Sequence, residues 1–202
     1  MGPSVVLLHA FPLSRSMWAP QIEALHDAYR VIAPDLRGFG GSKGFDDPPS
    51  LDQVADDVAG LLDELKIRER IVLGGLSMGG YAALAFARRH ADRLRGLILA
   101  DTKAEADDAE GKANRDRLIA FAAQNTARAV LDQMMPKLLA PETMSVHPEV
   151  IDLLRHIATD QTPAAIIGAL RALRDRPDSG PSLPAIAVPT LVMVGEKDAL
   201  TP

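Results

Sequence analysis

Ser77 stands between Gly75 and Gly79 in the run Leu73-Gly74-Gly75-Leu76-Ser77-Met78-Gly79-Gly80-Tyr81. A serine so flanked fits a nucleophile elbow, a sharp strand-to-helix turn that lifts a hydroxyl above the edge of a sheet. The backbone there is strained and crowded, so residues beside the serine must be tiny, and Gly80, Ala82 and Ala83 let the following helix pack close. A phosphate-binding helix N-terminus or a plain turn would use similar glycines. The context decides for the elbow: Arg70-Ile71-Val72-Leu73 reads as a buried strand, and Tyr81 to Arg89 reads as a helix.

A serine nucleophile needs a base, a group to orient that base, and donors for the oxyanion that develops during attack. The first strand ends at His9-Ala10-Phe11-Pro12, where an elbow architecture places one oxyanion donor. The Phe11 amide takes that role and the Met78 amide is the second, aided by the helix N-terminus. His9, at a strand end beside this loop, reads as a residue that holds the loop by hydrogen bonds and not as the base. Asp198 follows a late strand in Gly195-Glu196-Lys197-Asp198. Catalytic groups gather at strand carboxyl ends in α/β sheets, so Asp198 is the expected orienting acid. Asp101 is the alternative, its blander role being to cap the entry to the next segment. Glu196 reads as exposed loop.

The elements that must position these groups alternate. Ser4–His9, Arg30–Ala33, 70–73, Leu94–Ala100 and Thr190–Gly195 read as strands, separated by helices near Met17–Ala28, from Ser50 to Leu65, and after the elbow. Ser50 with Gln53 is a capping box, and Leu51, Val54, Val58, Leu61, Leu62 and Leu65 form one apolar stripe. Strand–helix alternation implies an α/β fold with a mostly parallel, doubly wound sheet. From about Ala104 to Arg176 the pattern is helical only, broken by prolines. This segment reads as a helical cap inserted into the core, with Met134, Met135 and Met144 as adaptable filler. The expected division is 1–101 for the first part of the core, 102–184 for the cap, and 185–202 for the last strand and acid loop.

Composition narrows the function classes. The chain has 202 residues, 47% of them hydrophobic, and a net charge of -5. That balance offers no basic footprint for nucleic acid and no polybasic membrane anchor. Apolar runs are too short for a membrane span, and Val5-Val6-Leu7-Leu8 lacks the basic flank of a signal peptide. The absence of cysteine excludes disulfides and thiol catalysis and fits a reducing cytoplasm.

The segments His9-Ala10-Phe11-Pro12, Pro34-Asp35-Leu36-Arg37-Gly38-Phe39-Gly40-Gly41-Ser42, Gly75-Leu76-Ser77-Met78-Gly79-Gly80 and Gly195-Glu196-Lys197-Asp198 resemble the α/β-hydrolase superfamily. The resemblance is nearest to small capped carboxylesterases, enol-lactonases and cofactor-free haloperoxidases, with His9-Ala10 replacing the usual His-Gly. It implies cleavage of a small-molecule carboxylic ester or lactone through an acyl-serine, without metal or organic cofactor. Thioesterase, C–C hydrolase and perhydrolase chemistry stay open, as does a homodimer. The alternative is a catalytically inactive binding or scaffold protein of the same fold. The resemblance also implies an N-terminal hairpin before Ser4, and a further strand, helix and catalytic histidine after the acid. All five histidines (His9, His26, His90, His147 and His156) precede Asp198. His26 and His90 read as surface residues and His147 and His156 as cap residues, so the base is expected to be missing. A fragment of a longer product and a short form with lost activity both fit. A bare apolar sheet edge combined with the missing base favours the fragment.

Overall fold

Five parallel strands carry the candidate site: β1 (Ser4–Leu8), β2 (Arg30–Ile32), β3 (Ile71–Leu76), β4 (Leu94–Ala100) and β5 (Thr190–Met193), in the order β2-β1-β3-β4-β5. The computed structural model describes residues 2–47 and 49–201. Met1 and Pro48, in the first expected core segment, and Pro202, in the last, lie outside them. Register aligns the carboxyl ends: Leu8 pairs with Gly75, Leu76 with Ala100, and Ala100 with Met193. The chain therefore leaves β1, β3, β4 and β5 at one edge of the sheet, with His9, Ser77, Asp101 and Val194 as the next residues.

β1 is buried throughout, as a central parallel strand covered on both faces must be. Its side chains alternate: Val5 and Leu7 pack with Trp18 and Ile22 on one face, while Val6 and Leu8 join the larger core on the other. The helix expected over 17–28 is split into a 3-10 turn at Arg15–Trp18 and α1 at Ala19–Leu25. Pro20 explains the split, because a residue without an N–H is accommodated only in the first turn of a helix. α2 (Leu51–Glu64) starts at the Ser50–Gln53 capping box and buries Leu51, Val54, Val58 and Leu62. α3 (Met78–Arg89) is buried from Met78 to Ala87.

Between β4 and β5 lie α4 (Ala109–Ala122), α5 (Ala127–Leu138), α6 (Pro141–Val146), α7 (Pro148–Thr159) and α8 (Pro163–Arg174). Asp108, Thr126 and Thr162 cap three of these by accepting from backbone amides, and Pro141, Pro148 and Pro163 open three of them. α8 places Ile166, Ala169, Leu170 and Leu173 in the main core. α5 and α7 build a second cluster with Leu13 from Leu131, Met135 and Ile157. β5 ends at Met193, two residues before the expected Gly195, because the Gly195 amide donates to the Asp101 carboxylate instead of continuing a ladder. Leu191, Val192 and Met193 on this edge strand are exposed. Among the described residues no helix is long and apolar enough to cross a membrane.

Two glycines set the distance between β1, β3 and α3. A Cβ on Gly79 would lie 2.1 Å from the Leu8 carbonyl oxygen, and one on Gly75 would lie 2.1 Å from the Gly79 carbonyl oxygen. Both obstacles are backbone, which cannot rotate away. Gly79→Ala is expected to destabilise the protein by at least about 2 kcal/mol in urea unfolding, as overpacking does. Ala82→Gly, by contrast, should cost only about 1 kcal/mol from lost helix propensity.

Candidate active site

Ser77 occupies the junction between β3 and α3 with φ 51° and ψ -110°. A non-glycine residue with positive φ costs on the order of 1–3 kcal/mol and persists only where its surroundings over-determine it. Three hydrogen bonds do so here. The Ser77 amide donates to the Ala100 carbonyl at 3.0 Å, the Thr102 hydroxyl donates to the Ser77 carbonyl at 3.0 Å, and the Tyr81 amide donates to that same carbonyl at 3.1 Å. The Ser77 hydroxyl makes no hydrogen bond among the described residues and opens onto a cavity.

That cavity has two lobes, of about 390 and 460 Å³, sharing Phe11, Ser77, Lys137, Leu138, Leu200 and Thr201. Met78 is the first residue of α3, so its amide has no carbonyl one turn earlier to bond. The Ala10–Leu13 turn, closed by the Leu13 amide on the Ala10 carbonyl at 2.9 Å, carries Phe11 to the cavity wall. Oxyanion donors need this placement: N–H groups at a serine hydroxyl, not consumed by the fold.

His9 is fully buried. Its Nε2 accepts from the Leu36 amide at 2.9 Å and its Nδ1 donates to the Ala10 carbonyl at 3.0 Å. Both ring nitrogens are committed, and the ring packs edge-on to Phe39. His9 thus joins the loop after β2 to the loop after β1.

Asp198 lines the same lobe as Ser77. Its Oδ1 accepts from the Leu200 and Thr201 amides at 2.7 and 3.1 Å, and its Oδ2 accepts from the Thr201 hydroxyl at 2.6 Å. Burial alone would push its carboxyl up, but these bonds, the Thr201 hydroxyl first, outweigh burial and hold it below the ordinary carboxylate range. Asp101, the alternative acid, does not cap the entry to the helices. With φ 41° it accepts from the Gly195 amide at 2.8 Å, and its own amide donates to Met193 at 2.9 Å, so it pins the turn that carries Asp198. Glu196 is exposed at the rim of the lobe.

No histidine lines either lobe. His26 contacts Glu23 and Asp27, His90 bonds Asp56, and His147 bonds Glu149, all at the surface, while His156 is exposed on α7. Among the described residues no group of three His, Asp or Glu side chains is placed to hold a metal ion.

Several site residues were not singled out from sequence. Thr201 was findable, because Asp followed three residues later by Thr is the spacing of a side-chain-capped turn. Thr102 and Tyr81 were not, since their contacts depend on how β4 and α8 meet the elbow. Behind Tyr81, Arg176 places its guanidinium 4.2 Å from the ring centroid and bonds Asp107 at 2.8 Å, and Arg115 bonds the same carboxylate at 3.0 Å. Burial would raise the Asp107 carboxyl, but Arg115 and Arg176 keep it lowered.

A family model described as the alpha/beta hydrolase family matches residues 5–202. The chain is 28% identical over 199 residues to 3-oxoadipate enol-lactonase 2 of Acinetobacter baylyi, covering 98% of this chain and 73% of that protein. A thermophilic esterase from Thermogutta terrifontis, solved with malate bound, superposes with a TM-score of 0.95 at 46% identity over 100% of this chain and 74% of its own. The enol-lactonase of Burkholderia xenovorans superposes with a TM-score of 0.88 at 33% identity, over 97% and 74% of the two chains.

Burial pushes the His9 imidazole from 6.5 down to about 4, against the opposing pull of the Ala10 carbonyl and Asp35. The neutral ring therefore contributes its full stability above the unfolded value near 6.5. That contribution is lost as the pH falls from there toward about 4, where it amounts to about 3 kcal/mol. His9→Gln, neutral at every pH, is expected to flatten this part of the acid limb when unfolding free energy is measured from pH 7 to pH 4.

Proposed function

The chain belongs to the alpha/beta hydrolase family, and from that premise we propose that it is a serine hydrolase of carboxylic esters or lactones. Ser77 attacks the carbonyl carbon, and the Phe11 and Met78 amides bind the oxyanion. Collapse expels the alcohol or opens the lactone ring, and water then hydrolyses the acyl-serine. Asp198 orients and stabilises the imidazolium of the base, a role suited to a carboxyl held ionised. The helices α4–α8 form a cap, supplying Gln133, Met134 and Lys137 to the cavity wall. The observation that carries this reading is Ser77 itself, with positive φ at a strand–helix junction and its hydroxyl unbonded at the cavity. Enol-lactonase and esterase relatives support the reaction class.

The base is an imidazole that none of His9, His26, His90, His147 and His156 provides. A second reading, a capped binding protein without chemistry, draws on that same observation.

Removing the base of a serine hydrolase costs about 10⁶ in kcat, while oxyanion donors and binding retain about 10³–10⁴ over water. Residues 1–202 are therefore expected to cleave p-nitrophenyl acetate barely above background. Added imidazole should raise that rate well beyond its effect on Ser77→Ala, with a pH dependence following free imidazole. Equal imidazole dependence of the two proteins would favour the binding reading. Robust Ser77-dependent turnover without imidazole would show that the chain already holds a base.

A further inference from the structure

The lobe between Ser77 and the helices is cationic in an otherwise acidic protein. Lys103, Arg115, Arg117 and Lys137 line it against a single carboxylate, Asp107, although the whole chain carries a net charge of -5. Asp107 is already held by Arg115 and by the buried Arg176 behind it. Among the described residues Arg117 bonds only the neutral Asn114 side chain. Lys103 and Lys137 make no ion pair or side-chain hydrogen bond among the described residues.

Several arginines elsewhere are instead held by carboxylates. The guanidinium of Arg37, in a groove of about 640 Å³ on another face, is held by Asp46 and Asp57. Arg88 and Arg89 pair with Asp52 and Asp56, and Arg174 with Asp116 and Asp175. Collecting unpaired like charges around a concave, partly desolvated space is unfavourable in the empty protein, and an anion entering the space relieves it. The other lobe carries both signs, with Asp101, Glu196 and Asp198 on its wall beside Lys137 and Lys197. An anionic ligand is therefore favoured on the side of Ser77 where cations outnumber carboxylates.

We infer that the substrate carries a carboxylate remote from its reacting carbonyl, and that Lys103 and Lys137, with Arg117 at the rim, bind it. This rests on the hydrolase reading for the word substrate, but the anion site itself does not. Lys103 lies three residues past the end of β4, and Lys137 lies in the last turn of α5. The carboxylate thus bridges the sheet edge and the overlying helices, which orients the ester carbonyl toward Ser77 and the Phe11 and Met78 amides. Binding energy from a non-reacting group spent on orientation is an established source of rate.

The test uses adipate as the probe, titrated by calorimetry at low salt into residues 1–202, with dimethyl adipate as its uncharged counterpart. Charge-assisted hydrogen bonds contribute enough for about a tenfold difference per lost partner. Adipate is expected to bind at least about tenfold tighter than its dimethyl ester, and more weakly as salt is raised. The Lys103→Ala/Lys137→Ala double variant should lose that preference, and Lys43→Ala, on a different face, should keep it. Equal binding of the two probes, no binding of adipate, or undiminished adipate binding by the double variant would overturn the inference. The imidazole-dependent cleavage of p-nitrophenyl acetate reads the hydrolase function separately. Adipate binding without it leaves an anion site and removes the hydrolase, whereas cleavage without adipate binding removes only the anion site.

Discussion

The close approach of α3 to the carboxyl ends of β1 and β3 is the constraint on which the rest of the site depends. The Gly79 backbone lies against the Leu8 carbonyl and the Gly75 backbone against Gly79, at distances that admit no side chain. At that separation the first amide of α3, the Ser77 hydroxyl and the loop after β1 share one small volume. The positive φ of Ser77 follows from the same geometry, since the chain must reverse from strand to helix within one residue. Its strain is offset by hydrogen bonds from β4 and from the residue beyond it, Ala100 and Thr102. A wider spacing would relax the serine and part it from the amides that could stabilise an oxyanion.

Around this point the loops are tied to one another more than to solvent. His9 joins the loops after β1 and β2, Asp101 holds the turn after β5, and Asp198 folds its own following residues around its carboxylate. Each tie uses a buried or half-buried polar group bonded to backbone groups, and for Asp198 also to the Thr201 hydroxyl, so each loop position is set by directional bonds. The burial of Arg176 and Asp107, with the half-buried Arg115, follows the same logic one layer back. A buried charge is tolerated only when paired, and the pairing braces Tyr81 against the segment entering α4.

Charge is distributed unevenly over this framework. Acidic residues pair with several surface arginines, and the space over Ser77 holds Lys103 and Lys137, which make no ion pair among the described residues. Of the two lobes meeting at Ser77, one has more cations than carboxylates and the other carries both signs. Fold alone does not select a substrate.

By itself the sequence determined the parallel sheet, the elbow and the acid loop. These rest on short-range rules: β-branched runs buried on both faces, glycines where backbone meets backbone, the Ser50–Gln53 box, and an aspartate just past a strand. The same rules account for the placement of Ser77, Phe11, Met78 and Asp198 at one edge of the sheet. The split of α1 at Pro20 was open to the same reasoning, whereas the early end of β5 was not. Only the tertiary structure decided that Asp101 binds the Gly195 amide, that His9 bridges two loops, and that Lys103 and Lys137 face the same space as the serine. These pairings join residues far apart in the chain. No local periodicity encodes them, because they depend on how the helices between β4 and β5 settle over the sheet.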